Sequence, residues 1–492
     1  MGKPEHRFLW IFIVLASLAP IVHNSAWAAD DVAQAQIPTQ DDAALSNMLA
    51  QMRSLGGLRP VLADAGVNII FSYYGEMLSN PVGGVRQGLI YDSRLGVLID
   101  GDLDKLFGWS GATLHASIHQ ISGEGLSAGF VGNLMTVSSI EAPATIRLFN
   151  LWVEQKVGDD ATLRIGQITA SQEFFISRNA NLFVNSTFGW PLIVTENLPS
   201  GGPAYPEATP GMRLRFKPSE AFTIKAGIFD GDPAGPGSGN PVNRDPYGVS
   251  FRVSDPPLLM TEIDYFYNQG SGDGNPNVEG SRNPTLDQTP SNGDARSSAL
   301  PGIMRLGAWY HTGQFADERF DLQGLSLASP ASSGQPLQHH GDYGFYTSID
   351  QMLWRFPGGE PDQGLSGFVR ASTSPSDRNL IDFYSDFGLT YKGLLPGRLN
   401  DQAGVAFAYG RISPQAIAHD RDMVSFTGVP MPIQNYEATI ELTYQARISP
   451  SWAIQPDLQY IIHPGGNVAD PLNPASRIPN ALVAGVRTII RF

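Results

Sequence analysis

Hydrophobic and polar residues alternate one by one along much of the chain beyond Val67. In YEATIELTYQARI, residues 436–448, the apolar positions are Tyr436, Ala438, Ile440, Leu442, Tyr444, Ala446 and Ile448. The final segment, NALVAGVRTIIRF, shows the same pattern, because Arg487 and Arg491 share one side and the other side is uncharged up to Phe492. Since successive side chains of a β-strand point to opposite faces, this period of two predicts strands with one apolar and one polar face.

Seventeen segments carry the pattern and are candidate strands: 67–76, 89–100, 111–121, 146–157, 161–168, 211–217, 221–230, 246–254, 258–268, 302–312, 342–353, 364–373, 381–393, 402–410, 436–449, 451–463 and 481–492. Tight connections (GDDA, KPSE, SDPP, SPS) alternate with long ones rich in Gly, Pro, Asn and Asp, which are 122–145, 167–210, 231–245, 268–302 and 411–435. Bacterial barrels use an even number of strands. When the strands are followed up and down the barrel from each terminus, the two tracings give opposite strand directions between 302 and 393. We therefore expect one candidate there to be wrong and the barrel to have sixteen or eighteen strands.

The N-terminus predicts export rather than part of the fold. Residues 1–28 combine basic residues, an apolar run of about fifteen residues and the cleavage pattern Ala26-Trp27-Ala28, as in a signal peptide. A membrane anchor is the alternative, but the run is short for a membrane span. Residues 29–66 hold a polar stretch and then a short amphipathic helix near 43–56, with Arg53 and Arg59 as candidates for the pore mouth.

Composition narrows the class of protein. The chain has 492 residues, no cysteine and a formal net charge of −15, which argues against disulfide stabilisation and against nucleic acid as a partner. Alternation alone would also fit a soluble secreted β-rich protein. Aromatic residues near the strand ends, charged residues on the polar face and the export signal favour an all-β transmembrane antiparallel β-barrel over residues 67–492. We therefore expect a water-filled barrel in the lipid of the bacterial outer membrane.

Several motifs resemble the OprB-type carbohydrate-selective porins. They include GLRPVLADAGVNIIFSYYGE, NLWVEQKVGDDATLRIGQI, LFVNSTFGWP, AWYHTGQFAD, DQMLWR and YKGLLPGR, and the likeness extends from about Gly56 to Phe492. The resemblance implies sixteen strands and passive conduction of sugars such as glucose, without catalytic residues or a cofactor. The terminal Phe492 resembles the signature that the outer-membrane assembly machinery recognises. A monomer and a homotrimer both remain open.

A sugar-selective waist would need charged side chains for hydroxyl groups and an aromatic ring for the sugar face. The long loop 167–210 is the best place to look, because it is too large for a simple surface connection and is expected to enter the pore. The candidate residues are Trp152, Glu154, Lys156, Arg164, Glu173, Arg178, Trp190, Arg213 and Arg215. The alternative is that these charges form ladders that brace the barrel wall.

Other motifs give weaker signals. His115 and His119 share a strand face but lack a third metal ligand, so lining of the lumen is preferred. GLSAG, residues 125–129, matches the hydrolase pattern G-x-S-x-G without a helix after it. Acidic loops around Asp230, Asp232 and Asp273 could bind calcium or form solvated turns. A general or ion-selective porin remains the main alternative function, followed by an outer-membrane barrel enzyme.

Overall fold

The structure, a computed structural model, describes residues 57–269 and 299–492. The predicted signal peptide, the helix near 43–56 with Arg53, and Asp273 lie outside these described residues. Within them, sixteen strands close into one antiparallel barrel, with each strand paired to its neighbour in sequence. Because every backbone group inside lipid needs a hydrogen-bond partner, closure lets strands cross a membrane without an exposed edge.

The barrel consists of fifteen consecutive strands and one closing strand. They are β1 (Val67–Val82), β2 (Leu89–Asp102), β3 (Ala112–Ser122), β4 (Thr145–Val157), β5 (Ala161–Ile168), β6 (Thr209–Ser219), β7 (Phe222–Phe229), β8 (Leu258–Tyr267), β9 (Gly302–Asp321), β10 (Pro336–Arg355), β11 (Gly364–Thr373), β12 (Ile381–Lys392), β13 (Gln402–Ile412), β14 (Tyr436–Ser449), β15 (Trp452–Ile462) and β18 (Ala481–Arg491). A separate hairpin is formed by β16 (Ala469–Asp470) and β17 (Asn473–Arg477). The predicted all-β antiparallel barrel with sixteen strands is confirmed.

The two faces of β14 show why the sequence alternates. Glu437 and Glu441 are 0% exposed and point into the barrel, whereas Ile440 and Leu442 are 41% and 50% exposed on its outer side. The apolar side chains meet lipid, and the carboxylates meet polar groups inside the barrel. The closing strand follows the same rule, because Arg487 is buried inside and Val486 faces outward.

The seam between the first and last strands uses the chain's terminal residue. Phe492 exchanges two backbone hydrogen bonds with Phe71, at 2.7 and 3.0 Å, and the two rings stack at 5.6 Å. The register continues from Ser72 opposite Arg491 to Val82 opposite Leu482. The C-terminal residue is therefore a structural part of barrel closure.

One predicted strand, 246–254, is wrong. Residues 230–257 form a single connection between β7 and β8. Its backbone is held by turns: the amide of Val249 donates to Asp245, and Phe251 has a positive φ of 45°. Alternation over the few residues of SFRVS was too short to specify a strand. The conflict expected between 302 and 393 therefore arose earlier in the chain, and all the candidates between 302 and 393 are strands.

Because residues 246–254 are not a strand, the end of the barrel at which each later connection lies also differs from the prediction. The connections after odd-numbered barrel strands share one end of the barrel and include 123–144, 169–208, 230–257 and 413–435. Strand β8 ends and β9 begins at the opposite end, where the short turns 158–160, 220–221 and 450–451 also lie. The predicted strict alternation of tight and long connections is thus wrong at this point. By the usual pattern of such barrels, the end with short turns is periplasmic.

Five α-helices lie in the part of the chain that the structure describes: α1 (Leu58–Asp64), α2 (Leu103–Phe107), α3 (Leu192–Asn197), α4 (Pro414–Thr427) and α5 (Pro464–Asn467). Of these described helices, none is both long and apolar enough to cross a membrane. Arg59 of α1 donates a hydrogen bond to the carbonyl of Ile69 on β1, which ties this helix to the first strand.

Candidate pore constriction

The connection 169–208 between β5 and β6 folds into the barrel. Its apolar side chains are almost completely buried: Phe174, Phe175, Leu182, Phe183, Phe188, Leu192, Ile193 and Val194. They pack against aromatic residues on the inward face of the wall. The ring of Phe175 stacks on Tyr346 at 4.1 Å, and Phe188 meets Phe368 edge-on at 6.3 Å. The expectation that this loop enters the lumen is confirmed, and we call residues 169–208 the inward loop.

Carboxylates of the wall hold the main chain of the inward loop. Glu262 on β8 accepts from the amide of Phe175 at 2.8 Å, and Glu441 on β14 accepts from two successive loop amides at 2.5 and 3.0 Å. Asp350 on β10 accepts from the hydroxyl of Ser177 at 2.6 Å and from two further loop amides. Buried main-chain amides need an acceptor, and these side chains supply it at three separate points, so the contacts fix the path of the loop.

Five of the charged candidate residues form one cluster. Glu154 on β4 accepts from Arg164 at 2.9 Å and from Arg213 at 2.5 Å, and its other oxygen lies 3.5 Å from Arg215. Glu173 at the start of the inward loop pairs with the same two arginines, with Arg213 Nε at 2.9 Å and with Arg164. Strands β4, β5 and β6 and the start of the inward loop thus bring two carboxylates and three guanidinium groups together.

The residues of this cluster differ in how far they are buried. Arg164, Arg213 and Glu173 are no more than 3% exposed, whereas the side chain of Glu154 keeps 16% of its surface. Burial alone would raise the pKa of Glu173, but the positive charges of Arg164 and Arg213 outweigh it, so the pKa lies below its usual value. The buried members therefore anchor the inward loop to the wall, whereas the side chain of Glu154 keeps part of its surface exposed.

Trp152 lies beside this cluster. Its ring stacks on His115 of β3 at 4.9 Å, and the guanidinium carbon of Arg164 lies 3.7 Å from its centre. The ring is therefore covered on its faces by two neighbours and is 7% exposed. His115 in turn contacts Asp100 on β2 at 2.7 Å. An unbroken series of polar and aromatic contacts thus runs from β2 to β5.

Three candidate residues lie apart from the cluster. Lys156 is exposed near the end of β4, beside the short turn 158–160. Arg178 lies on the inward loop, where its amide donates to Asp350 at 3.2 Å. Trp190 is buried within the loop and donates from Nε1 to the carbonyl of Gly201 at 3.1 Å. The sequence placed all nine candidates near one waist, and the structure brings together six of them.

A second connection, 123–144, also folds inward and explains the GLSAG motif. Ser127 is buried, donates from its hydroxyl to Glu141 at 2.9 Å, and accepts from the amide of Val137 at 2.8 Å. Burial raises the pKa of Glu141 to about 7. The same connection reaches the wall through two amides that donate to Glu437 of β14. The hydroxyl of Ser127 is thus engaged in holding the connection together.

The possible metal sites at His115 and His119 and at Asp230 and Asp232 find a structural explanation instead. Among residues 57–269 and 299–492, no group of three or more His, Asp or Glu side chains is arranged to hold a metal ion. His119 stacks on Phe149 at 4.6 Å. Asp230 accepts from the amides of Asp232 and Asp255 at 3.3 and 3.2 Å, which makes the acidic turn part of the β7–β8 connection.

Arg94 on β2 is a prominent inward residue that the sequence analysis missed. Its guanidinium carbon lies 4.5 Å from the ring centre of Tyr74 on β1 and 5.3 Å from that of Tyr205 on the inward loop. Arg94, Asp100 and Tyr205 all keep part of their surface exposed. The alternation in LIYDSRLGVLID could have revealed Arg94, because it shares the inward face with Asp92 and Asp100.

Comparison with known proteins decides what kind of barrel this is. The model of the family described as carbohydrate-selective porin, OprB family, matches residues 86–492. The chain belongs to this family. Porin B of Pseudomonas aeruginosa is 24% identical over 453 residues, which cover 88% of this chain and 89% of that protein. The putative porin QuiX of Acinetobacter baylyi is 21% identical over 89% of this chain and 92% of its own length.

A solved structure supports the same fold. The high-pH structure of Pseudomonas putida OprB is 23% identical, covers 89% of this chain with 97% of its own, and has a TM-score of 0.73. The resemblance inferred from the sequence motifs is therefore confirmed. This OprB-family chain is a sugar-selective porin of the bacterial outer membrane. The family and the fold are those of channels rather than of known enzymes.

Proposed function

We propose that small carbohydrates such as glucose diffuse passively through this porin and are recognised on the inward surface of β2 and β4. The observation that carries the proposal is the placement of Arg94 between the rings of Tyr74 and Tyr205. Partly exposed carboxylates of Asp100 and Glu154 lie on the same strands. The ring of Tyr205, which keeps part of its surface exposed, offers an apolar face to a sugar, and the charged groups offer donors and acceptors to its hydroxyls.

Weak binding suits a channel through which sugars must pass. A hydrogen bond formed in competition with water contributes only about 0.5–1.5 kcal/mol, so a few such contacts hold a sugar briefly and release it. A conducting site must bind well enough to admit the solute and loosely enough to let it leave. Charges of both signs along the path would favour a neutral, hydroxyl-rich solute without favouring one ion sign.

Single-channel conductance in a planar bilayer, with glucose titrated in, tests the proposal. We expect saturable block by glucose that weakens in Tyr205→Ala and in Arg94→Gln. Tyr310→Ala provides the control, because Tyr310 is 39% exposed on the outer face of β9. A current that falls only with the viscosity of the solution would indicate a general diffusion porin and contradict a sugar site.

We infer further that this chain has no catalytic function. The serine of GLSAG, the hydrolase-like motif, supports this inference because its hydroxyl serves the connection 123–144. Purified protein incubated with ester and lipid substrates should show no turnover above that of Ser127→Ala. Activity that disappears in this variant would contradict the inference.

Recognition of Phe492 by the outer-membrane assembly machinery, cleavage of residues 1–28 and association into a homotrimer remain predictions. Mass spectrometry of the mature N-terminus checks the cleavage. Chemical cross-linking in outer-membrane vesicles, with the products separated by size, distinguishes a monomer from a trimer.

A further inference from the structure

Arg370 on β11 is a charged wall residue that donates to four carbonyl groups of the inward loop as well as to Asp386 on β12. Its side chain is 0% exposed. The guanidinium donates to the carbonyls of Thr187 at 3.0 Å and Phe188 at 2.9 Å, and more weakly to those of Phe175 at 3.2 Å and Gly189 at 3.5 Å. These acceptors come from two separate stretches of the loop, so one side chain ties both stretches to the wall.

The chemistry of arginine suits this position. A guanidinium group presents five N–H donors in a rigid planar fork, whereas a lysine ammonium is a compact point charge with three donors. Buried carbonyls need a donor, and those of residues 187–189 lie where a short 3₁₀ turn, Ser186–Phe188, ends. Arg370 therefore supplies donors at a place where the loop has no strand or long helix to pair its own backbone.

The orientation of the fork is fixed by its neighbours on β12. Arg370 Nε lies 3.0 and 3.1 Å from the two carboxylate oxygens of Asp386, and Nη2 also contacts this carboxylate. Asp386 accepts from the hydroxyl of Tyr384 at 2.8 Å. Thr187 on the loop donates to the same hydroxyl at 3.0 Å. The network thus holds the fork so that its remaining donors point at the loop.

We propose that Arg370 is a positioning residue that sets the width of the constriction by clamping carbonyls of the inward loop. It acts through the loop and does not touch the sugar. The start of the loop is pinned to β5 and β6 through Glu173, and the clamp on β11 adds a second anchor at residues 187–189. Releasing the clamp would let residues 187–189 move, because the amides of 175–185 keep their bonds to Glu262, Asp350 and Glu441, and it would change the space left for the solute. The effect on selectivity rests on the proposed function, whereas the effect on width does not.

A simple wall-bracing ion pair between Arg370 and Asp386 is the competing explanation, and two substitutions separate the explanations. Arg370→Lys keeps the charge and its partner but cannot serve four carbonyls with a planar fork. Asp386→Asn removes the charge pair but keeps one side-chain oxygen that accepts from Arg370, so the fork stays in place to donate to the loop. If the carbonyl clamp matters, the lysine variant has the altered pore. If only the ion pair matters, the asparagine variant has the altered pore.

The test measures single-channel conductance and the rates at which liposomes swell in glucose and in raffinose, a trisaccharide. We expect Arg370→Lys and Arg370→Met to raise conductance by roughly twofold and to admit raffinose, since selectivity of a pore depends on its diameter. Asp386→Asn should stay close to wild type. Arg411→Met is the control, because Arg411 on β13 pairs with Asp382 on β12 at 2.8 Å and this ion pair joins two adjacent wall strands.

Heat-modifiable gel mobility shows whether each variant forms the barrel. Folded Arg370→Lys with wild-type conductance and an unchanged preference for glucose would overturn the proposal. Failure of both Arg370 variants to assemble would overturn it too, because Arg370 would then serve the barrel itself. A wild-type channel that glucose does not block, together with wider Arg370 variants, would refute the sugar site and support the clamp.

Discussion

Replacing Glu173 by glutamine should loosen the inward loop while leaving the barrel closed. Glu173 follows the first turn of the loop and bonds to Arg213 Nε at 2.9 Å and to Arg164. Glutamine has nearly the same shape but no charge, so both arginines lose one carboxylate partner. The strands keep their own hydrogen bonds, and the effect should therefore be confined to the docking of residues 169–208.

The size of the effect follows from burial. Removing one partner of a buried ion pair typically costs about 3–5 kcal/mol, because an uncompensated charge is left behind. Here Glu154 still accepts from both arginines, at 2.9 and 2.5 Å, which softens the loss. We therefore expect the lower limit, about 3 kcal/mol. Since each 1.4 kcal/mol is a factor of ten, the undocked form of the loop should become roughly a hundredfold more populated.

Limited proteolysis of the detergent-solubilised barrel measures this population. Cleavage within 169–208 should accelerate in Glu173→Gln while the protein keeps its heat-modifiable mobility. Glu220→Gln is the control, because Glu220 pairs with Lys217 at 2.7 Å on an exposed short turn, where ion pairs contribute little. Equal cleavage rates in wild type and both variants would refute the assignment of Glu173 as a loop anchor.

The same anchor predicts how the loop responds to acid. Because the pKa of Glu173 is lowered in the folded protein, its stabilisation is present above the usual carboxyl pKa and is lost as the pH falls through the lowered value. The rate of proteolysis within the loop should therefore stay the same between neutral pH and about pH 5. Release of the loop already near neutral pH would show that another group controls its docking.

Three further predictions concern other parts of the barrel. Burial raises the pKa of Glu196 on α3 to about 7, so its negative charge appears as the pH rises. Reversal potentials in a KCl gradient should show cation preference increasing between about pH 6 and 8, and the increase should be smaller in Glu196→Gln, where Glu141 still titrates. Phe492→Ala removes the stacking on Phe71 at 5.6 Å and should destabilise the seam by about 1 kcal/mol, measured as a lower temperature for loss of heat-modifiable mobility. Ser127→Ala leaves Glu141 and the amide of Val137 without the hydroxyl, which should cost about 1–3 kcal/mol and expose residues 123–144 to protease.

The sequence predicts the barrel well because lipid imposes a strict rule on every strand. One face must be apolar, and the backbone must be fully paired, so the alternation persists over whole strands such as β14. The wrong strand, 246–254, shows the limit of this rule. Its alternation spans few residues between Pro246 and Pro256, and a loop held by Asp245 and Asp255 shows the same short pattern.

The contacts of the inward loop could not be predicted in the same way. Its length indicates that it enters the lumen, but Glu262, Asp350 and Glu441 bind main-chain amides, and every non-proline residue has one. No residue type in the loop therefore identifies the wall residue that binds it. Glu173 was an exception, since its partners Arg164 and Arg213 are side chains of opposite charge on adjacent strands.

Arg94 and Arg370 show why the candidate site was only partly predictable. Each is an inward arginine on an alternating strand, so the sequence alone gives both the same expected position. Arg370 is 0% exposed under the inward loop, whereas Arg94 keeps part of its surface free beside Tyr205. The path of one loop thus decides which charge anchors the constriction and which charge can meet a solute. Selectivity in such a porin should therefore depend on the few lumen charges that the loops leave exposed, rather than on the total charge of the wall.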